Sequence, residues 1–226
     1  MSTTGRLAEP QVEAMFDRIA SVYDLMNSVM TAGMHQRWRE RAVDVCGSPG
    51  RALDVATGTG DLAIALRERG AEVIGIDFAE KMLEIARRKA PEIEFRTGNA
   101  LALDFQDDQF DAATVGFGAR NFDDLDRGIA EMARVVKPGG RVVILEITTP
   151  QKPPLSFFFR LWFDSIVPLI GRIAGDPDAY EYLPNSVKRF PGPRDLAARM
   201  AAAGMTDVRW ILTAGGIIAI HSGTVA

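Results

Sequence analysis

Apolar and polar positions along the chain follow two different spacings. Over residues 11–46, apolar side chains recur at helical spacing, with a break near Gly33 and an end at the GSPG segment, residues 47–50. Between residues 51 and 150, short apolar runs alternate with amphipathic segments. Strands that alternate with helices are typical of a parallel sheet covered by helices on both faces. The pattern therefore predicts a Rossmann-like α/β fold, with a doubly wound, mostly parallel sheet behind an N-terminal helical cap.

Two details of the pattern concern the second half of the sheet. Residues 125–140 predict a helix that stops at a Gly-Gly pair, and residues 141–148 predict the strand that follows. Residues 207–224 predict two strands joined by another Gly-Gly turn. We expect this last pair to be antiparallel and to lie at one edge of the sheet.

The length of the chain predicts a single domain. With 226 residues, 47% of them hydrophobic, it can form one large core without a second domain. We divide it into a helical cap (1–49), a ligand-binding core (50–150), an apolar insertion (151–203) and a strand pair (204–226).

Composition and charge argue against several classes of protein. The net charge is −4 and no run of basic residues stands out, which disfavours a nucleic-acid partner. One cysteine and two histidines are too few for a disulfide framework or a metal cage, so we expect no metal cofactor. The N-terminal residues lack an apolar signal core, which predicts a cytoplasmic protein or one bound peripherally at the inner face of the membrane.

A glycine-rich turn follows the first predicted strand. Its sequence is ATGTGD, residues 56–61, and together with Ala63 it satisfies the dinucleotide pattern G-x-G-x-x-G/A. The Gly-Lys-Ser/Thr of a P-loop is missing. In a doubly wound sheet the first such turn lines the ligand crevice. We therefore expect Gly58 and Gly60 to contact a ligand, and an NAD-dependent oxidoreductase is one class to consider.

Two carboxylates beside this turn bear on the kind of ligand. Asp54 lies near the end of the first strand, and Asp61 begins the next helix. Both would repel a pyrophosphate, the group that usually binds at a helix N-terminus. Both would attract a zwitterion such as S-adenosylmethionine (SAM), which carries ammonium and sulfonium groups and whose carboxylate can bind backbone N–H groups. The simpler alternative for Asp61 is that it only stabilises its own helix.

Two further strand ends carry groups that suit a nucleoside. Asp77 ends the second strand and can accept hydrogen bonds from both ribose hydroxyls of SAM or NAD. Asn99 and Ala100 follow the third strand, where an amide can pair with an adenine edge and a backbone N–H can reach a ring nitrogen. Taken alone, Asn99 is more readily explained as a turn residue.

Three segments of the chain carry a resemblance to a known family. They are YDLMNSVMTAGMHQRW (Tyr23–Trp38), GFGARN (Gly116–Asn121) and RVVKPGGRVVILEIT (Arg134–Thr148). With them the chain resembles the class I SAM-dependent methyltransferases and, more narrowly, the ubiquinone/menaquinone biosynthesis C-methyltransferases. The family usually has serine where this chain has Thr31 and Thr148, and both residues keep the hydroxyl. The resemblance covers nearly the whole chain.

The resemblance implies a cofactor and a substrate. It implies SAM contacts at Thr59, Asp77, Asn99 and Ala100, in agreement with the strand-end interpretation, and we add Gly116 at the start of the second segment. The implied substrate is a polyprenylated quinol, either demethylmenaquinol or the 2-methoxy-6-polyprenyl-1,4-benzoquinol precursor of ubiquinone. The short N-terminus is similar to that of members that make only menaquinone, so we favour demethylmenaquinol.

Methylation of a ring carbon requires a phenolate-like substrate aligned with the methyl group. Arg120 can stabilise the phenolate oxygen, and its guanidinium keeps its own proton. Asn121 can hold a water or a ring oxygen, Tyr23 can close over the same spot, and His35 is another candidate acid or base.

These roles have simpler alternatives. Arg120 could instead form a salt bridge with Asp123 or Asp124. Tyr23 and Trp38 lie at apolar positions of predicted helices, where aromatic residues most often belong to the core. A SAM-binding regulator without catalysis would show the same motifs, and turnover with a quinol would exclude it.

The apolar insertion contains the longest apolar segment of the chain, residues 155–175. Charged residues and a proline interrupt it, so it does not predict a membrane-spanning helix. Polar residues spaced by four would form one stripe of a helix, and a wide apolar face would include Phe158 and Trp162. We expect this segment to cap the quinone site and to make peripheral membrane contact. Ordinary packing against the sheet is the alternative.

Overall fold

The computed structural model describes residues 9–31, 33–150, 153–161 and 177–226. Within these ranges seven strands form one sheet: β1 (Arg51–Val55), β2 (Glu72–Asp77), β3 (Glu94–Thr97), β4 (Phe110–Gly116), β5 (Val136–Ile147), β6 (Met205–Thr213) and β7 (Ile218–Val225). Their order across the sheet is β3-β2-β1-β4-β5-β7-β6. β1 to β5 are parallel, and β7 pairs antiparallel with β5 and β6. The predicted fold class, including the C-terminal edge pair, is confirmed.

The described residues also contain eight α-helices. They are α1 (Glu9–Thr31), α2 (Met34–Cys46), α3 (Asp61–Glu68), α4 (Glu80–Lys89), α5 (Leu125–Val135), α6 (Leu155–Leu161), α7 (Pro177–Arg189) and α8 (Pro193–Ala202), with short 3-10 turns at Ala119–Asn121 and Ala214–Gly216. Gly33, at the predicted break between the first two helices, has a φ of 74°. The helical pattern over residues 11–46 is therefore confirmed.

Apolar side chains cover both faces of the sheet. On one face, α2 and α3 contribute Val43 and Leu66 to a fully buried cluster. On the other face, α5 and α8 contribute Met132 and Met200. A strand buried on both faces needs a continuous apolar sequence, which explains why residues 142–145 contain no polar position.

One helix ends earlier than its pattern predicts. The helix expected over residues 125–140 ends at Val135, and β5 begins at Val136. Pro138 disfavours a helical conformation of the residue before it, and Gly139 has a φ of 81°. The prediction was therefore wrong for the last turn, because the proline and not the Gly-Gly pair ends the helix.

The strand order reverses at the centre of the sheet, between β1 and β4. In sheets of this kind, ligands bind beyond the C-terminal ends of the strands at the reversal. The glycine turn after β1, the end of β2 and the GFGARN segment after β4 all lie at this end. The helical cap reaches it as well, because Val12 and Met15 of α1 form an apolar cluster with Tyr182 of α7.

The apolar segment 155–175 is described only in part. α6 is described, whereas residues 162–176, including Trp162, and the side chain of Phe158 lie outside the described residues. In the described part of this segment, the buried Phe159 packs against Val187 of α7. No helix within the described ranges is long and apolar enough to cross a bilayer. The capping role of the segment stays a prediction.

Candidate active site

Two adjoining spaces lie at the C-terminal ends of the strands. The first, which we call the strand-end groove, is lined by Asp54, Gly58, Thr59, Asp61, Asp77, Asn99, Ala100, Gly116 and Asn121, with Phe16, Tyr23, Arg39 and Phe117 at one end. The second, the apolar cavity, has a volume of about 520 Å³. Phe16, Tyr23, Arg39 and Phe117 line both spaces, so the two spaces are adjacent.

The glycine turn contributes less uniformly to the groove than its sequence predicts. Gly58 lines the groove with a φ of 56°, and a Cβ there would lie 4.0 Å from Met82 Cε, an ordinary van der Waals distance. Gly60 is absent from the lining; its φ is 84°, and a Cβ there would lie 2.9 Å from the Phe95 ring. Gly60 is therefore required for packing between α3 and the sheet. The other seven residues predicted to bind the cofactor all line the groove.

Asp77 lies where β2 ends, as predicted, and its carboxylate is held by backbone groups. Oδ2 accepts a hydrogen bond from Gly58 N at 2.7 Å, and Oδ1 accepts one from Ala79 N at 2.9 Å. Burial raises the pKa of Asp77 to about 6, although these N–H groups favour the charged form. Each oxygen keeps a second lone pair, so Asp77 can still accept from a ligand hydroxyl.

Asp54 forms the floor of the groove and is 1% exposed. Its two oxygens accept hydrogen bonds from Thr57 Oγ1 and Thr114 Oγ1, both at 2.6 Å. Burial raises the pKa of Asp54 to about 6, and the two hydroxyls oppose this only in part. Two buried acids whose charged forms are disfavoured would be stabilised by a cationic ligand. The groove therefore fits the sulfonium and ammonium groups of SAM.

Asp61 is matched by cations of the chain itself. Its Oδ2 lies 3.1 Å from Arg39 Nη1, and its Oδ1 accepts a hydrogen bond from Lys89 Nζ. Next to it, Thr59 Oγ1 donates to Asp24 Oδ1 at 2.6 Å, and Lys89 Nζ lies 3.1 Å from Asp24 Oδ2. These contacts join α1 and α2 of the cap to α3 and α4 of the core.

Asn99 and Ala100 line the end of the groove that is opposite Arg39. Asn99 Oδ1 accepts a hydrogen bond from Leu101 N at 2.7 Å, which orients the amide as in a turn. The Asn99 side chain therefore acts as a turn residue, as the alternative interpretation expects, while the turn itself still borders the groove. The groove thus has two halves, one lined by Asn99 and Ala100 and the other by Arg39. Asp77 and Asn121 border both halves, so a nucleoside at Asn99 would also reach Asp77.

Arg120 reaches the wall of the apolar cavity from the 3-10 turn after β4. Its Nη1 donates to Glu146 Oε1 at 2.8 Å and to Phe117 O, whereas Asp124 instead caps α5 by accepting from Arg127 N at 3.0 Å. A salt bridge exists, as the alternative proposed, but its partner is Glu146 of β5. Burial lowers the pKa of Arg120, yet Glu146 and the tyrosines raise it above its usual value, so the guanidinium stays charged.

Tyr23 lies at the junction of the two spaces, and Asn121 lies in the groove. Tyr23 lines both the groove and the cavity, and its ring packs edge-on against Phe16 with 6.1 Å between the centroids. Asn121 lines the groove, and its Oδ1 accepts a hydrogen bond from Tyr182 Oη at 3.1 Å. Tyr23 thus lines both spaces, whereas Arg120 lines the cavity and Asn121 lines the groove; their catalytic roles stay predictions.

His35 lines the cavity but is not free to act as a base there. Its Nδ1 is hydrogen-bonded to Arg39 Nη1, and its Nε2 lies 3.2 Å from Ser28 Oγ. Burial and the neighbouring Arg39 lower its pKa, so His35 is neutral at pH 7. Trp38 is buried in the core, edge-on to Phe117 at 6.4 Å between centroids. Within the described ranges, no three metal-binding side chains are grouped around a common point.

Sequence reasoning missed several residues that shape the site. Glu146 is the one charge in the run VVILEI and could have been noticed for that reason. Asp24 lies within the first family segment beside Tyr23, and Tyr182 lies in the insertion. Phe117, on the boundary, has a φ of 60°, which is strained for a bulky residue and typical of functional sites.

Fold and groove together define a class I SAM-dependent methyltransferase. A SAM-dependent methyltransferase from Thermotoga maritima, described as a possible histamine N-methyltransferase, has a TM-score of 0.69 at 20% identity, covering 94% of this chain and 99% of that one. A putative SAM-dependent methyltransferase from Methanococcus maripaludis has a TM-score of 0.65 at 17% identity, covering 93% of each chain. At these identities the similarity supports the fold alone.

Relatives in sequence narrow this class to one family. The profile described as the ubiE/COQ5 methyltransferase family matches residues 4–225. A demethylmenaquinone methyltransferase of Thermus thermophilus is 50% identical over 218 residues, 92% of this chain and 99% of that protein. The ubiquinone/menaquinone biosynthesis C-methyltransferase UbiE of Rhodopseudomonas palustris is 39% identical over 227 residues, 94% of this chain and 90% of that protein. The chain therefore belongs to the ubiE/COQ5 methyltransferase family, which confirms the resemblance and contradicts the oxidoreductase alternative.

Proposed function

We propose that this enzyme methylates a ring carbon of a polyprenylated quinol, converting demethylmenaquinol to menaquinol. The observation that carries the proposal is the apolar cavity beside the strand-end groove. Its volume of about 520 Å³ and its mostly apolar lining suit an aromatic head group with part of a prenyl tail. The names of the relatives from Thermus thermophilus and Rhodopseudomonas palustris support the same substrate class.

The chemistry assigned to the cavity depends on Arg120. SAM, when bound, would supply an electrophilic methyl group: the S–CH3 bond would break as the ring C–CH3 bond forms, and S-adenosylhomocysteine would leave. The hydroxyl proton would pass to water, and the methylated ring carbon would then lose its own proton as the oxygen regains one, which restores the aromatic quinol, so one proton is released overall. A quinol carbon becomes a good nucleophile when the neighbouring hydroxyl loses its proton, and a buried guanidinium that stays charged favours that loss. Glu146 orients Arg120, and Asn121 and Tyr23 hold the ring at the junction. Because Arg120 keeps its own proton, it acts by stabilising the oxyanion and not as the base.

A polyprenylated benzoquinol is the second candidate substrate. The relative from Rhodopseudomonas palustris carries a name that includes both ubiquinone and menaquinone biosynthesis. The described lining of the cavity has no group that would favour two fused rings over one ring with a methoxy group. The favoured substrate therefore follows from the demethylmenaquinone relatives, and the cavity is compatible with either.

We further propose that the mouth of the cavity meets the surface of the membrane that holds the quinol. On α1, Leu25 and Val29 are 64% and 62% exposed, and on α6 Phe157 is 65% exposed. Val22 and Leu161 are exposed and also line the cavity, so the exposed apolar surface is continuous with the interior. Such a surface binds a lipid interface through apolar burial.

Turnover with defined quinols tests the substrate. Purified enzyme with methyl-labelled SAM and demethylmenaquinol in vesicles should yield labelled menaquinol. The demethylated benzoquinol should react more slowly. Labelling of the benzoquinol alone would reverse the assignment, and labelling of neither would overturn it.

Vesicle flotation tests the membrane contact. Leu25→Asp with Val29→Asp should reduce binding to phosphatidylglycerol/phosphatidylethanolamine vesicles severalfold. Gln11→Asp with Ala14→Asp adds the same number of charges at exposed positions of the same helix, about three turns or more away from Leu25, and serves as the matched control. Equal loss in control and variant would contradict a contact driven by apolar burial.

A further inference from the structure

Arg39 of α2 lines the strand-end groove and has hydrogen-bond donors that no described residue accepts from. The residue is 7% exposed and lines both the groove and the cavity. Its Nη1 is hydrogen-bonded to His35 Nδ1 and forms an ion pair with Asp61 Oδ2. Nε and Nη2 donate to no residue that the structure describes. The N–H of Nε and the two N–H bonds of Nη2 are thus available to a ligand, and one N–H of each nitrogen lies along the same edge of the guanidinium.

The position of Arg39 along the groove indicates which part of the ligand it meets. Asn99 and Ala100, the predicted adenine contacts, lie in the half of the groove that does not include Arg39. Asp77, the predicted ribose contact, borders both halves. A nucleoside placed in this way leaves the amino-acid end of SAM toward Arg39.

Charge points to the same part of the ligand. Among the described residues that line the groove, Arg39 is the one cation, while Asp54, Asp61, Asp77 and Asp123 are acids. SAM has one anionic group, the carboxylate of its amino-acid end. A planar guanidinium edge with two adjacent donors matches a carboxylate in a bidentate arrangement.

The neighbours of Arg39 keep its free edge in position. His35 and Arg39 are four residues apart on α2, so the imidazole can hold Nη1 from within the same helix. Asp61 of α3 forms one ion pair with Arg39 Nη1 and a second ion pair with Lys89. The charge of Asp61 therefore stays compensated when Arg39 also binds an anion.

We propose that Arg39 binds the carboxylate of SAM through its Nε and Nη2 and so selects an intact amino-acid end. This assigns to a side chain the group that sequence reasoning gave to backbone N–H groups of the glycine turn. The proposal concerns the cofactor, so it does not depend on which quinol is methylated.

Binding of two ligands to one set of variants tests the proposal. Calorimetry is done with SAM and with decarboxylated SAM, which lacks only the carboxylate. The wild type should bind SAM roughly tenfold or more tightly than the decarboxylated form, as expected for a charge-assisted pair. Arg39→Met should remove this preference and leave the affinity for decarboxylated SAM unchanged.

Lys89→Met is the matched control, because Lys89 also pairs with Asp61 but does not line the groove. It should retain the preference for SAM. Arg39→Lys keeps the charge without the planar fork and should show a smaller preference, which keeps the test valid if Arg39→Met does not fold.

Two results would overturn the assignment. An equal loss of both ligands in Arg39→Met and Arg39→Lys would mean that Arg39 only supports the groove. Unchanged SAM binding with a raised KM for the quinol would assign the free edge to the apolar cavity instead.

Discussion

The strand-end groove and the apolar cavity are neighbours but are built in different ways. The groove is formed by strand ends and their turns, and its acids are fixed by backbone N–H groups and hydroxyls, as at Asp77 and Asp54. The cavity is formed mainly by helices of the cap and the insertion, and most of its lining is apolar. Arg120 and Tyr23 are among its few polar groups.

This difference separates two tasks. A groove fixed by the sheet can hold the same cofactor in many enzymes, because strand ends and their backbone groups are rigid. Helices packed over the sheet can change their apolar side chains and so change the acceptor molecule without altering the groove. We therefore expect substitutions in one space to affect one ligand, with the exception of the residues that line both.

The largest effect is expected at Arg120, on the cavity side. Arg120→Met removes the charge that stabilises the oxyanion, and loss of one such group typically lowers kcat by roughly a hundredfold or more. Arg120→Lys should recover part of the rate, since it keeps the charge but not the fork. SAM affinity, measured by calorimetry, should stay within about twofold of the wild type, because Arg120 is proposed to stabilise the oxyanion of the quinol and not to bind SAM.

A loss of SAM binding or of folding in both Arg120 variants would show that the salt bridge to Glu146 is purely structural. In that case a substitution in the cavity would also affect the cofactor, and the expectation that each space serves one ligand would be wrong for Arg120.

The next effect is expected at Asp77, on the groove side. Asp77→Ala should weaken SAM binding roughly tenfold or more, the value of a charge-assisted hydrogen bond. Asp111→Ala is the matched control, since Asp111 also accepts from a backbone N–H, that of Arg51 at 2.7 Å, but does not line the groove. If both variants bind SAM alike, the strand-end acid does not hold the cofactor.

A smaller effect, severalfold, is expected from pH. Burial raises the pKa values of Asp54 and Asp77 to about 6, so SAM should bind more tightly as pH rises through 6 and both acids become charged. The affinity for the quinol, measured as KM, should not follow this change. A SAM affinity that is constant between pH 5 and pH 7.5 would contradict the charged state of the groove.

The raised pKa values should also affect the stability of the fold, which should fall as pH rises, whereas SAM affinity should increase. A carboxyl group whose pKa is raised by folding contributes stability below its ordinary value, and this contribution is lost as pH rises through about 6. His35 and His221 have lowered pKa values and oppose this trend. Asp54→Asn retains both histidines, so the wild type should lose stability relative to this variant as pH rises.

The smallest effect is expected at Tyr182, which supports the junction from α7. Tyr182→Phe removes the hydroxyl that donates to Asn121 Oδ1 and should lower kcat roughly twofold. SAM affinity should fall less than kcat if Asn121 serves the acceptor ring. The reverse order would assign Asn121 to the cofactor.

Local pattern and chain order were sufficient for much of the groove. The alternation of strands and helices predicted a doubly wound sheet, and in such a sheet the carboxyl ends of the parallel strands lie at one edge. Asp54, Asp77 and Asn99 could therefore be assigned to one groove from their positions alone. Gly60 is the exception, because it does not line the groove and packs closely against Phe95 of β3, which is distant in sequence; its contact with the cofactor stays a prediction.

The tertiary structure alone decided the charge partners and the cavity. Arg120 pairs with Glu146, not with the acids beside it in sequence, and Asp61 pairs with Arg39 of the cap. Periodicity reports which face of an element is buried, but it carries no information about which elements meet there. Ion pairs and cavities depend on distances between such elements, and those distances exist only once the cap has packed on the sheet.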